Sequence, residues 1–278
     1  MSPVIDELIE LRGLRLHYRD WAARSPGAPS LLLLHGYTGH ARSWDAFAQA
    51  MTDRYRVLAL DQRGHGESGW AGDYGIGEMT ADLEVFVAAL GLSGFTLLGL
   101  SMGGMVAMDY AGRAPKELAA LVIVDIAPEI VTSGSSRIQE GQKASDVFAS
   151  REEAFAAARA ANPVPPEDHH RHRVDHSLMR TADGGWTWRY DRALRNPAAL
   201  GRRDPEMGWR SCAAIAVPTL VIRGENSDIL SPELAQRMVA TIPDARLVTV
   251  VGSGHPVPLD APEGFIEAAR GFLRGKPA

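Results

Sequence analysis

Short apolar runs alternating with longer segments of helical period constrain this chain more than any other feature. The runs are Leu31 to Leu34, Val57 to Leu60, Phe95 to Leu98, Leu121 to Val124, Leu220 to Ile222 and Leu247 to Val251. Strands without polar alternation must be covered on both faces, and parallel neighbours need a crossover of a dozen or more residues. The pattern therefore predicts an α/β fold with a doubly wound, mostly parallel sheet between helical layers. Between the second and third runs, Leu83, Phe86, Val87 and Leu90 recur at i, i+3, i+4 and i+7, with Thr80, Asp82 and Glu84 read as the start of that helix. Ser231 before Pro232 reads as an N-cap with proline in the first turn. Phe265, Ile266, Ala269, Phe272 and Leu273 predict a closing amphipathic helix that ends near Gly275.

The alternation lapses between Ala127 and Ala214, an interval too long for a plain loop. Its charged, Ala-rich stretches, such as REEAFAAARAA, have helical period. Residues 128–213 are accordingly expected to form a mostly helical cap, inserted between core segments 1–127 and 214–278. Open α/β sheets bind ligands at the carboxyl ends of their strands, and the insertion leaves and rejoins the core there.

The chemistry is concentrated in Gly99-Leu100-Ser101-Met102-Gly103-Gly104, between a strand and the helical segment MVAMDYAGRA. Glycines on both sides allow a sharp turn that lifts the serine hydroxyl above the sheet, with the helix N-terminus facing the reacting oxygen. With His35-Gly36-Tyr37 after the first run, Asp61-Gln62-Arg63-Gly64-His65-Gly66-Glu67-Ser68 after the second and Gly254-His255 near the end, the whole chain resembles the α/β-hydrolase superfamily, its capped esterase-type members in particular.

That resemblance implies Ser101 as nucleophile, His255 as general base, and an oxyanion hole made by the backbone N–H groups of Tyr37 and Met102. It places the acid in the loop 223–228, where Asp228 is the expected member. Many relatives carry the acid one position earlier, where this chain has Ser227, so Asp125 and Glu225 are the alternatives. His35 is expected to stabilise its turn and His65 to pack within its loop. Trp186, Trp188 and Tyr190, at period two in WTWRYD, are candidates to line an apolar substrate pocket or to form the cap's own core. His172 and His176 stand one helical turn apart but are interleaved with arginines, which reads as a solvated face rather than a metal site.

A Ser-His-acid set performs acyl transfer, so the expected activity is hydrolysis of a small carboxylic ester through an acyl-enzyme, without metal or cofactor. Serine at the elbow argues against the epoxide hydrolases and haloalkane dehalogenases, which use a carboxylate there. Lactonase, thioesterase, C-C bond hydrolase and perhydrolase chemistry use the same residues, and a ligand-binding protein of the same fold is a further alternative. Lys and Arg total 29 against 34 Asp and Glu, which argues against nucleic acid as a partner. The single cysteine, Cys212, cannot close an internal disulfide, and no segment has the roughly 20 apolar residues of a membrane span. The acidic start MSPVIDELIELRG lacks the features of a signal peptide, so a cytoplasmic location is expected.

Overall fold

The structure, a computed structural model, describes residues 3–201 and 204–273. An N-terminal hairpin, β1 (Val4–Leu11) and β2 (Leu14–Trp21), leads into β3 (Ser30–Leu34), α1 (Asp45–Met51), β4 (Arg56–Leu60), α2 (Ile76–Ala89), β5 (Phe95–Leu100), α3 (Met102–Ala111) and β6 (Leu118–Val124). The interval that follows holds α4 (Thr132–Lys143), β7 (Val147–Phe148), α5 (Arg151–Ala161), α6 (Glu167–His176), β8 (Leu178–Arg180), β9 (Trp186–Trp188) and α7 (Pro205–Ala214). The chain then closes through β10 (Thr219–Gly224), α8 (Pro232–Thr241), β11 (Ala245–Val250), α9 (Val257–Asp260) and α10 (Pro262–Leu273).

The main sheet has the order β1-β2-β4-β3-β5-β6-β10-β11, parallel throughout except where β2 pairs with β1 and with β4. The six apolar runs are its six parallel strands. Side-chain alternation divides each between two cores. Leu32, Leu34, Leu97 and Val221 face the layer containing Leu83, Phe86, Val106 and Tyr110, whereas Leu31, Leu33, Leu98 and Ile222 face Phe47, Met51, Phe265 and Phe272. At roughly 1.5–3 kcal/mol for each large apolar side chain removed from water, these two layers are the main favourable term in folding.

The hairpin was not foreseen from the apolar runs, because β1 is mostly exposed and carries its charges outward. Its signal lay in Arg12-Gly13, a two-residue turn in which both residues have positive φ, 52° and 72°, pairing Leu11 with Leu14. The helix expected to start at Thr80 begins a turn earlier, at Ile76. The Thr80 hydroxyl donates back to the Ile76 carbonyl (2.8 Å), and the Asp82 carboxylate accepts from Arg63 and Arg12 inside the fold. Ser231 caps α8 as expected, accepting the Leu234 N–H at 3.2 Å. Gly275 lies outside the described residues.

Between β6 and β10, α4 to α6 are joined by a small antiparallel sheet of order β7-β9-β8. This part has its own core of Phe148, Ala154, Val174 and Leu178, against which Trp186 and Trp188 pack. The last helix of the interval, α7, lies instead beside α3 in the core layer, with Cys212 Sγ 3.6 Å from Met108 Sδ. No helix among the described residues is long and apolar enough to cross a membrane.

Candidate active site

Ser101 is the hinge between β5 and α3, at φ 53° and ψ −116°, a conformation that L residues rarely adopt. Two close approaches explain the glycines around it. A Cβ on Gly99 would stand 2.2 Å from the Gly103 carbonyl oxygen, and one on Gly103 would stand 2.5 Å from that of Leu34. Only without these side chains do strand, helix and the neighbouring β3 pack closely enough to raise the Ser101 hydroxyl.

His255 reaches that hydroxyl from the loop after β11. Its Nε2 lies 2.9 Å from Ser101 Oγ, and its Nδ1 lies 2.8 Å from Asp125 Oδ2. A carboxylate only accepts, so Nδ1 carries the proton and Nε2 is the free acceptor for the serine O–H. Asp125, at the end of β6, is wholly buried and has φ 51°. Its carboxylate also accepts the Gly224 N–H (2.9 Å) and the Ser227 hydroxyl (2.5 Å). These donors satisfy the lone pairs of the buried carboxylate.

The geometry differs from the expected acid. Asp228 lies one residue beyond Ser227, one-third exposed, and its carboxylate takes the Arg137 guanidinium at 2.5 and 3.0 Å. Burial pushes its pKa up, but the Arg137 pairing outweighs this and holds it below the ordinary value. Glu225 accepts the Gly252 N–H at 2.9 Å and braces the turn after β11. Ser227, one residue before Asp228, thus donates to a carboxylate supplied by the neighbouring strand.

Tyr37 and Met102 flank the serine. Met102 is the first residue of α3, where a helix leaves its N–H groups without an intrahelical acceptor. The loop carrying Tyr37 runs close to the nucleophile: a Cβ on Gly36 would lie 3.2 Å from Ser101 Cβ. Tyr37's side chain is turned to another task, donating its hydroxyl to the Leu194 carbonyl (2.8 Å) while accepting from Gln142 (3.3 Å). His35 sets this loop from below. Its Nδ1–H donates to the Gly36 carbonyl and its Nε2 accepts the Gln62 N–H, while burial lowers its pKa and keeps it neutral. His65 is buried beside it, its Nδ1–H donating to Arg63 O.

Of the aromatics, Tyr190 is packed near this loop, its ring 6.3 Å from that of Tyr37. Trp188 meets Phe148 edge-on at 5.1 Å, and Trp186 lies under the guanidinium groups of Arg151 and Arg180. His172 and His176 meet edge-on with centroids 4.6 Å apart, and His172 also meets Asp45 at 3.1 Å. Asp260, in the stretch after His255, was not singled out from the sequence. Its Oδ2 accepts the Gly254 N–H and its Oδ1 accepts the Asn162 amide, both at 2.8 Å, tying the histidine loop to the end of α5.

Comparison with known proteins places the chain among related hydrolases. A 3-hydroxybutyrate-oligomer hydrolase of Cupriavidus necator is 29% identical over 257 residues, covering 87% of both chains. An sn-1-specific diacylglycerol lipase of Mus musculus is 30% identical over 275 residues, 88% of this chain and 81% of that one. The crystal structure of an α/β hydrolase from Novosphingobium aromaticivorans superposes with a TM-score of 0.87 at 30% identity, over 99% of each chain. Since the family model for the alpha/beta hydrolase fold matches residues 29–262, and since the sheet order and elbow are those described above, this chain belongs to the α/β-hydrolase fold family and groups with its esterase-type hydrolases.

Proposed function

We propose that the chain is a serine esterase whose triad is Ser101, His255 and Asp125, with the backbone N–H groups of Tyr37 and Met102 as oxyanion hole. The observation that carries this reading is the unbroken relay from Ser101 Oγ to His255 Nε2 (2.9 Å) and from His255 Nδ1 to the buried Asp125 (2.8 Å). In the reaction His255 takes the serine proton as Oγ attacks the ester carbonyl. The two N–H groups meet the negative charge that develops on the carbonyl oxygen, a term worth several kcal/mol because the donors are oriented before reaction. His255 then passes the proton to the departing alkoxide, leaving an acyl-enzyme, and afterwards deprotonates the water that releases the acid. Asp125 keeps Nδ1 protonated and stabilises the imidazolium in both halves.

The two curated relatives described above are named as a hydrolase of 3-hydroxybutyrate oligomers and as a lipase, which supports an ester as the substrate class. The segment from α4 to Asp191 serves as the cap, since its contacts include the loops at the carboxyl ends of β3, β4, β10 and β11. Strain at Ser101 favours a reactive centre over a mere ligand-binding role, because such a conformation is costly and clusters at functional sites.

The test is fluorophosphonate labelling with turnover of nitrophenyl esters across acyl lengths, a lactone and a thioester beside them. The adduct is expected on Ser101 alone, and Ser101→Ala is expected to lose on the order of 10⁶ in turnover while remaining folded. An adduct elsewhere, or undiminished turnover in the alanine variant, overturns the assignment.

A further inference from the structure

Arg173 is unlike the other arginines between β6 and β10. Arg137, Arg151, Arg171, Arg189 and Arg195 each hold a carboxylate, on Asp228, Asp175, Glu152, Glu67 and Asp146. Among the described residues, the Arg173 guanidinium has neither an ion pair nor a hydrogen bond, although the residue is half-buried. Its backbone is anchored, and one carboxylate lies in the neighbourhood of its side chain. The Arg173 carbonyl accepts from His40 Nε2 (3.2 Å), on the loop that follows Tyr37, and the carboxylate whose field reaches its guanidinium is Asp260, beside Gly254 and His255. Arg173 thus neighbours both loops that flank Ser101, the oxyanion loop through its backbone and the histidine loop through the field of Asp260.

Asp260 does not serve as its partner by default. Both its oxygens are already engaged, by Gly254 N–H and by the Asn162 amide. A half-buried guanidinium without a protein partner can take an anion from its solvent side, and such an anion would offset the partial burial that pushes the Arg173 pKa below its ordinary value. The planar guanidinium offers parallel N–H donors that match a carboxylate, and one cation balances one such charge.

We propose that Arg173 is the binding subsite for a carboxylate carried by the substrate, so that the preferred esters are half-esters of dicarboxylic acids or acyloxy acids. This rests on the esterase reading above and narrows its substrate class. The residue binds and orients; Ser101 and His255 perform the chemistry on the same ester bond.

The experiment compares kcat/KM by pH-stat for monoethyl succinate, monoethyl glutarate and 4-acetoxybutyrate against neutral ethyl pentanoate, in the wild type and in Arg173→Gln and Arg173→Lys. The best anionic ester is expected to exceed ethyl pentanoate by about 10- to 100-fold, the range of a hydrogen bond to a charged group. Arg173→Gln should abolish that preference and leave ethyl pentanoate within about threefold, and Arg173→Lys should restore part of it. An anion preference unchanged in Arg173→Gln, or preference for the neutral ester in the wild type, overturns the proposal.

Calorimetry on Ser101→Ala gives a readout independent of turnover. Glutarate should bind to it and not to the Ser101→Ala, Arg173→Gln double variant, with circular dichroism melting as the folding control. Glutarate binding in a protein that cleaves none of the esters would sink the esterase reading and uphold the subsite. Equal glutarate binding in the single and double variants, or tighter binding of inorganic phosphate than of glutarate, would sink the carboxylate subsite itself.

Discussion

At the scale of single residues, Asp125 combines costs that only a function or a dense network offsets: a positive φ, complete burial and a negative charge. The network is present, from His255, Gly224 N–H and Ser227. Replacing Asp125 by Asn removes the charge and permits the wrong imidazole tautomer, so kcat is expected to fall by about 10⁴. Asp228→Asn breaks an ion pair that is one-third exposed and half-solvated on the Arg137 side. It should leave kcat within about tenfold of wild type and cost no more than about 1 kcal/mol of stability. Both variants assayed on one ester, with circular dichroism on each, decide the matter; a collapse in Asp228→Asn beside near-normal Asp125→Asn would return the acid to the β10 loop. The pairing of Ser101 with His255 was legible from sequence because a glycine-flanked serine and a lone late histidine have few competitors. The carboxylate that faces the imidazole was not, since Asp125 and Asp228 both follow strands, and which of them does so depends on how β6 and β10 end relative to one another in space. Ser227 was the available signal: a hydroxyl at the usual acid position suits a donor to an acid placed elsewhere.

Elements divide along the same line. The six parallel strands could be read because each is apolar on both faces, whereas β1 alternates charges with exposed aliphatics and β7 to β9 are only two or three residues long. In those short strands cross-strand contacts, not a sequence period, decide the pairing. Trp188 illustrates the consequence. Its neighbours on β9 point it at Phe148 and the small core of Val174 and Leu178, with Trp186 on the same side. Trp188→Ala is therefore expected to lose roughly 3 kcal/mol of stability, within the range for large aromatics in cores. The ratio of kcat/KM between short and long acyl esters should move by less than about threefold. Urea denaturation and the ester series measure the two sides; a tenfold change in the ratio with unchanged stability would make Trp188 a wall of the pocket instead.

At the scale of the whole molecule, the seam between the α4 to β9 segment and the main sheet is fastened by buried polar groups. Gly66 N–H donates to Arg189 O (3.0 Å), Asp191 N–H to Gly64 O (2.8 Å) and His40 Nε2–H to Ser177 Oγ (2.9 Å). His65 lies within this seam, packed against Tyr37 and Tyr190, and its buried Nε2 has no partner among the described residues. Burial lowers the pKa of both His40 and His65 to about 3. In the unfolded chain a histidine titrates near ~6.5, so between these values the unfolded state binds the proton that the folded state refuses. The stability each contributes is therefore complete above about pH 6.5 and declines as the pH falls, by up to about 1.4 kcal/mol per pH unit for each group. His17 and His172 act in the opposite sense. Their pairing with Asp61 and Asp45 raises their pKa, for His17 against the effect of burial, so their contribution is full below about pH 6.5 and is lost as the pH rises through the folded value. Comparing wild type with His65→Phe cancels those shared terms. The variant keeps a flat ring against Tyr37 and Tyr190, discards the unpartnered nitrogen and gives up one bond to the Arg63 carbonyl. Unfolding free energy from urea titration should fall less steeply between pH 6.5 and pH 5 in His65→Phe than in wild type, by close to one proton in the slope. Parallel slopes in the two proteins would mean that His65 takes up its proton as readily when folded as when unfolded, and the seam would have to open in acid for some other reason.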